Sequence, residues 1–203
     1  ASDVYKRQAL ANAQQSLSGG TTSLRDLGGR DFLEFAVRDA CNSGEQFGPT
    51  IRAAGQIICM TGGHGNQHGR VADGPDEVVK AVREQVHAGS EVIKLMATGG
   101  VMTRGVNPED AHYSENELRV GVEEGHRFHR TCASHAQGSA GILNAVRAGM
   151  DSIEHGIFMT DECVELMLSK GTYLVPTLSA LLNILVNTDP VSYTHLTLPT
   201  KEE

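Results

Sequence analysis

The 203-residue sequence lacks tryptophan, has only four scattered cysteines and contains no long apolar run. No apolar stretch approaches the roughly 18–20 residues that a membrane-spanning helix needs. The cysteines form no CxxC pair, which argues against a disulfide framework. The formal charge of −8 argues against nucleic acid as a partner, because phosphate binding requires clustered lysine and arginine. What is present, 39% hydrophobic residues and 23 glycines, predicts a soluble globular domain.

The two ends of the chain differ from the rest. ASDVYKRQ (1–8) and VSYTHLTLPTKEE (191–203) resemble translated sequencing-adapter sequence, as in a metagenomic fragment, and no periodicity joins them to their neighbours. We therefore predict a single domain, residues 9–190, between two adapter-like tails, and we expect the natural protein to extend beyond both ends. A signal peptide would then not be visible, so the compartment stays open, with the cytoplasm favoured.

Short apolar runs alternate with amphipathic stretches throughout residues 9–190. The pattern predicts six strands separated by helices, at 21–27, 51–60, 91–97, 131–136, 152–155 and 172–176. Such repeated βα units build a parallel sheet. We predict an α/β fold, specifically an incomplete (β/α)8 TIM barrel with about six βα units visible and strands 1 and 8 missing. A doubly wound sheet is the alternative.

Helix boundaries are marked clearly at two places. Pro75 at a first turn and Gly89 at the far end predict one helix over 75–89. Ser114 and Glu117 form a capping box that predicts another helix, beginning after Ser114 and ending near His129.

Polar residues cluster where the predicted strands end, which is where barrel enzymes carry their active sites. They are Arg25, Asp26, His64, His68, Lys94, His135, Glu154 and His155. His135 and His155 lie on consecutive strands near their ends, and two such histidines are a plausible half of a zinc site. Strand alternation turns Glu154 away from His155, so we exclude Glu154 from the metal ligands. We expect Arg25 and Asp26 to form a structural pair.

Lys94 is the most informative single residue, because it lies inside the apolar run VIKLM. Apolar neighbours on both sides predict a strand that is covered on both faces. Desolvation lowers the pKa of a lysine and makes its neutral amine a nucleophile. Two uses follow: attack on a substrate carbonyl to form a Schiff base, or uptake of carbon dioxide as a carbamate that bridges two metal ions.

Several motifs resemble those of the amidohydrolase superfamily, and they occur along the chain in the same order as in that family. They are TTSLRDLGG, TGGHG, EVIKLMATGGVMT, YSENEL, ASHAQG, SIEHG and LVPT. The most similar branch contains the Xaa-Pro-dipeptidase-like and imidazolonepropionase-like hydrolases. The resemblance implies a binuclear site with two divalent ions, zinc favoured, bridged by carboxylated Lys94 and held by His135 and His155. It also implies hydrolysis of peptide, amide or cyclic amide bonds by a metal-activated hydroxide.

Two parts of the family pattern have no counterpart in this chain. They are the HxH motif of the first strand and the catalytic aspartate of the eighth, and HGNQH (64–68) has the wrong spacing for the former. We therefore expect the intact parent to be the enzyme and this fragment to be inactive.

Candidate substrate contacts follow from the loops beyond the strands. His64 is predicted to contact substrate or the oxyanion, Tyr113 and Arg104 to meet a substrate carboxylate, and Gln137 to line the pocket. The expected partner is a small-molecule or dipeptide-like substrate, and a homo-oligomer stays open.

Two other functions remain open on the sequence alone. VIKLMATGG also resembles the reactive-lysine strand of class I aldolases, so Lys94 could serve a Schiff-base lyase, but His135 and His155 would then have no role. The other alternative is an inactive truncated barrel that only binds metal.

Overall fold

The computed structural model describes residues 2–187 and builds them from helices and parallel strands. The helices are α1 (Ser2–Ser18), α2 (Leu33–Asn42), α3 (Pro75–Ala88), α4 (Glu115–Arg127), α5 (Ser139–Arg147), α6 (Asp161–Lys170) and α7 (Leu178–Asn187). The strands are β1 (Ser23–Asp26), β2 (Thr50–Ala53), β3 (Ile58–Cys59), β4 (Arg70–Val71), β5 (Val92–Met96), β6 (Thr131–Gly138), β7 (Ser152–Phe158) and β8 (Tyr173–Val175). The predicted alternation of helices and strands is confirmed.

Local sequence signals place the helix boundaries correctly. Helix α3 begins with Pro75 and ends at Gly89, whose φ of 102° lies in the left-handed region that glycine tolerates. The capping box of α4 is present: the Ser114 hydroxyl accepts the Glu117 N–H, and the Glu117 carboxylate accepts the Ser114 N–H.

The single strand predicted over 51–60 is wrong, because the structure divides it into β2 and β3. The break lies at Gly55, where φ is 75° and where a β-carbon would meet the Phe32 ring and the Gln85 amide. Strand β4 was not predicted, since two residues are too short to form a hydrophobic pattern.

The strands form two parallel sheets. β1 pairs with β2, and the larger sheet has the order β4-β3-β5-β6-β7-β8. A backbone hydrogen bond of 2.9 Å from Glu91 N–H to Ala53 O connects the end of β2 to the start of β5. The α/β class with parallel sheets is therefore confirmed.

The array of strands is curved. The Arg25 guanidinium on β1 lies 3.0 Å from the Glu154 carboxylate on β7. A flat array running β1-β2-β5-β6-β7 would separate these strands by about 19 Å at the usual spacing, farther than the two side chains reach.

Strand β5 has two differently packed faces, and both are buried as predicted. Ile93 and Leu95 join the main hydrophobic core with helix residues such as Val78 and Leu118. Alternation places Lys94 with Val92 on the opposite face. We call the Lys94 side the inner face and the helix-covered side the outer face.

The predicted boundary at residue 8 lies inside helix α1. Helix α1 runs without a break through residues 2–8, where Asp3, Val4 and Tyr5 are exposed. The division into tails and domain stays a prediction, and residues 191–203 lie outside the described part. Among the helices of residues 2–187, none combines the length and apolarity that a bilayer crossing requires.

Candidate active site

Lys94 lies at the middle of β5 on the inner face and is only 5% exposed. Burial lowers the pKa of its amine to about 8, with the Arg25 charge acting in the same direction and Glu154 opposing it. A substantial fraction of this lysine is therefore the neutral, nucleophilic amine near pH 8.

His135 lies on β6, two residues beyond Ala133, the residue that pairs with Lys94. The register pairs Lys94 with Ala133 and Met96 with His135, so the lysine stem extends toward the level of the imidazole. The His135 Nε2 is 2.7 Å from the Gly99 carbonyl oxygen. Burial, reinforced by the Lys94 charge, holds the pKa of His135 well below its usual value, so the ring is neutral at pH 7.

His155 reaches the same region through an unusual backbone conformation. The register pairs it with Ala136, which belongs to the outer-face core, so a regular strand would turn the imidazole outward. A φ of 78° at His155 breaks the alternation instead, and its ring lies 4.7 Å from that of His135. Its Nδ1 is 2.6 Å from the Thr177 hydroxyl, and burial lowers its pKa to about 4.

His64 adds a third ring to the group. Its centroid lies 4.6 Å from that of His135, although His64 belongs to the loop between β3 and β4. The Thr103 hydroxyl lies 2.8 Å from Nδ1, and the ring packs on Gly100, where a β-carbon would collide with it. Burial lowers the pKa of His64 to about 4. The structure therefore brings the nitrogen groups of Lys94, His64, His135 and His155 together. Lys94 and His135 are buried, His64 and His155 are half-buried, and the three imidazoles are uncharged at pH 7.

The remaining predicted contacts are placed differently. Gln137 follows His135 on β6, is 3% exposed, and its Oε1 has no hydrogen-bond partner. Arg104 lies exposed in the loop after β5. Tyr113 is 1% exposed within the outer-face core, and its hydroxyl donates to the Ala72 carbonyl oxygen over 2.7 Å. This placement gives Tyr113 a structural role, because its one polar atom is already bonded inside the protein.

Sequence reasoning missed the ion pair between Arg25 and Glu154 on the inner face. Glu154 was expected to point away, yet its carboxylate lies on the inner face, where it accepts hydrogen bonds from Arg25 and from the Ser152 hydroxyl. The expected pairing of Arg25 with Asp26 is wrong, because Asp26 lies on the opposite face and accepts the Gly28 N–H. Only the left-handed backbone at His155 allows both Glu154 and His155 to lie inward.

A second group of side chains has the close spacing that the ligands of one metal ion require. Within residues 2–187, His126, Cys132 and Asp151 are the set whose ligand atoms all lie within 4.8 Å of one another. His126 lies near the end of α4, Cys132 at the start of β6 and Asp151 just before β7, so the group lies toward the N-terminal ends of these strands, away from His135 and His155. Burial raises the pKa of the Cys132 thiol. The Asp151 carboxylate already accepts hydrogen bonds from the His126 ring and from the Cys132 N–H. These bonds indicate a structural cluster.

Comparison with known proteins identifies the family of this chain. The profile of the amidohydrolase family matches residues 2–201. The chain belongs to the amidohydrolase family. The family predicted from the motifs around Lys94, His135 and His155 is therefore confirmed.

Two enzymes, an ochratoxinase and a Xaa-Pro dipeptidase, are similar to this amidohydrolase. Ochratoxinase of Aspergillus niger is 38% identical, over 82% of this chain and 39% of its own length. The crystal structure of A. niger ochratoxinase superposes with a TM-score of 0.83 at 35% identity, covering 90% of this chain and 47% of that one. A Xaa-Pro dipeptidase with methionine bound in its active site gives a TM-score of 0.81 at 35% identity, covering 90% and 48%. The chain thus spans less than half the length of these relatives.

Proposed function

We propose that this chain carries the central part of a metal-dependent hydrolase that cleaves amide or peptide bonds. The observation that carries the proposal is the convergence of Lys94, His135 and His155 on consecutive parallel strands of an amidohydrolase. The curvature between Arg25 and Glu154 supports a barrel-type arrangement around them. The family's HxH pair and catalytic aspartate have no counterpart here, so we expect the parent to be active and this fragment inactive.

Lys94 is proposed to be carboxylated. Its neutral amine attacks the carbon of CO2, an N–C bond forms as one C–O π bond opens onto oxygen, and the nitrogen loses one proton to solvent or a neighbouring base. The product is a carbamate anion with two oxygens. Its negative charge requires cationic neighbours in a buried place, and metal ions fulfil that requirement.

His135 and His155 fit a divalent ion by their chemistry. Both imidazoles are uncharged at pH 7 because burial lowers their pKa, and neutral imidazole is the form that binds metals. The hydrogen bonds at Gly99 and Thr177 each engage one ring nitrogen, which orients the other. We propose that they and the carbamate hold two divalent ions, zinc favoured. When bound, such ions supply Lewis acidity and lower the pKa of water.

Three further residues are proposed to meet the substrate. His64, oriented by Thr103, donates or accepts at the scissile group, and Gln137, two residues after His135, offers a buried amide oxygen without a partner. Arg104 lies on an exposed loop where a substrate carboxylate can reach it. Tyr113 is not among them, because its buried hydroxyl is bonded to the Ala72 carbonyl oxygen. The names of the relatives favour a small amide or dipeptide-like substrate.

Metal content and carbamate formation can be measured on the chain itself. We expect zinc titration of the wild type to give tight binding and a carbamate signal in 13C NMR with labelled bicarbonate. Lys94→Ala removes the carbamate signal, and His135→Ala/His155→Ala lowers zinc affinity at least tenfold. His126→Ala is the matched control and leaves both unchanged. Equal zinc binding by the double variant, or loss in His126→Ala alone, would overturn the assignment.

The Schiff-base alternative rests on the same buried Lys94, whose lowered pKa suits attack on a carbonyl. In that reaction the amine adds to the carbonyl carbon and water leaves as the imine forms. Borohydride trapping of a small aldehyde on Lys94, together with activity that a chelator does not change, favours this alternative over the hydrolase.

A further inference from the structure

The His64 ring is held by residues of a different loop, the one between β5 and α4. The Thr103 hydroxyl of that loop lies 2.8 Å from His64 Nδ1. Gly100 of the same loop leaves the space that the ring occupies, because a β-carbon there would collide with it. The orientation of this imidazole therefore depends on contacts with residues that are distant in the sequence.

The Thr103 hydroxyl has a second neighbour, which decides the direction of its bond to His64. The Gly65 N–H donates to Thr103 Oγ1 over 3.3 Å, so the hydroxyl oxygen already accepts one hydrogen bond. Within residues 2–187 the Thr103 hydroxyl proton has no acceptor other than His64 Nδ1. A hydroxyl has one proton to donate, and it is best satisfied when it donates as well as accepts. The arrangement therefore favours donation from Thr103 to Nδ1.

This direction determines the tautomer of His64. Burial lowers the pKa of His64 to about 4, and a neutral imidazole has one N–H donor and one acceptor nitrogen. If Nδ1 accepts from Thr103, the ring proton lies on Nε2. In the described part of the chain Nε2 has no hydrogen-bond partner, yet it is not fully enclosed by protein. A ligand can therefore accept a hydrogen bond from it.

The backbone around His64 has hydrogen bonds of its own. The Gly63 N–H donates to the Met60 carbonyl oxygen over 2.9 Å, and the His64 N–H makes a longer bond of 3.5 Å to His112 Nδ1. Neither bond involves the side chain of Thr103. Removal of the Thr103 hydroxyl should therefore release the His64 ring without unfolding the loop that carries it.

We propose that Thr103 is a positioning residue for His64 and that it fixes the tautomer with the proton on Nε2. His64 then acts as a hydrogen-bond donor to an acceptor oxygen of the substrate, the carbonyl oxygen of the scissile amide. A protonated Nε2 has no free lone pair for a metal ion. His64 is therefore not a metal ligand, although its ring centroid lies 4.6 Å from that of His135. The role toward substrate rests on the hydrolase function proposed above, whereas the tautomer does not.

Long-range 1H–15N correlation NMR of the zinc-free full chain, labelled with 15N-histidine, measures the tautomer at pH 7. The signals of the His64 ring are assigned by their loss in His64→Asn. We expect Nδ1 to have the chemical shift of a bare ring nitrogen and Nε2 that of a protonated one. The opposite result, with the proton on Nδ1, would overturn the proposal.

Substitutions of Thr103 test its positioning role. Thr103→Val removes the hydroxyl and keeps the shape of the side chain, so the two His64 nitrogens should move toward an averaged shift as the tautomers exchange. Thr103→Ser should restore the wild-type shifts. Thr172→Val is the matched control, because the Thr172 hydroxyl donates to the Met150 carbonyl oxygen. Unchanged His64 shifts in Thr103→Val, or the same change in Thr103→Ser, would mean that the hydroxyl does not set the tautomer.

Zinc titration of the labelled chain separates this inference from the proposed metal site. We expect zinc to shift the ring nitrogens of His135 and His155 while His64 Nε2 keeps its proton. Loss of that proton on zinc binding would make His64 a ligand and overturn its role as a donor. If zinc shifts no histidine signal, the proposed metal site fails, and the Thr103 variants alone decide the tautomer.

Discussion

Arg25 on β1 and Glu154 on β7 form an ion pair across the inner face, with Nη2 3.0 Å from Oε1. The Glu154 side chain is 5% exposed and that of Arg25 is 32% exposed. This contact joins the first strand to the seventh and lies beside Lys94, whose pKa responds to both charges.

Arg25→Met is expected to destabilise the fold by about 2–3 kcal/mol, because it leaves Glu154 buried without its cation. Urea unfolding measures the change. The exposed pair Arg147 and Glu162 provides the control, and Arg147→Met should cost less than about 1 kcal/mol. Equal effects of the two substitutions would mean that the inner-face pair is no more than a surface contact.

The backbone at His155 predicts an unusual order of stability. Alanine retains the strain of the left-handed conformation and glycine relieves it, so His155→Gly should be about 1 kcal/mol more stable than His155→Ala. His135 is not among the residues with positive φ, so the order should reverse there. His135→Gly should be less stable than His135→Ala by ~0.5–1 kcal/mol. Chemical denaturation of the four variants tests both orders, and the same order at both positions contradicts the interpretation.

Tyr113→Phe distinguishes a core residue from a substrate contact. The substitution removes the hydrogen bond to the Ala72 carbonyl oxygen and should cost about 1 kcal/mol of stability. Zinc affinity should stay unchanged, because the hydroxyl does not face the histidines. A stable variant with altered zinc binding would return Tyr113 to the site.

Glu34 predicts a pH dependence of stability. Its folded pKa is raised above the unfolded value, so its contribution is fully present below the unfolded pKa and is lost as pH rises through the folded pKa. Glu34→Gln should therefore be the more stable protein at pH 8, by ~1 kcal/mol, and gain little at pH 4. Thermal unfolding at the two pH values measures this difference, with substitution of the exposed Glu45 by Gln as the control. A Glu34→Gln variant that is less stable at pH 8 would mean that the carboxylate has a partner in solution.

Much of the architecture follows from local patterns. The capping box at Ser114, Pro75 at a helix start and the apolar run around Lys94 each report the conformation of a few neighbouring residues, and the structure agrees with them. The strand over 51–60 was mispredicted because its break depends on Phe32 and Gln85, which are distant in sequence but pack against Gly55.

The sequence by itself determined that Lys94 lies on a buried strand and that His135 and His155 follow on the next strands, because periodicity and order along the chain encode these features. Only the tertiary structure decided that Glu154 faces inward to Arg25, that Tyr113 belongs to the core and that Glu34 is buried without a partner. The physical reason is that strand alternation assumes a regular backbone. A single residue with positive φ at His155, and the curvature that brings β1 to β7, change which side chains meet.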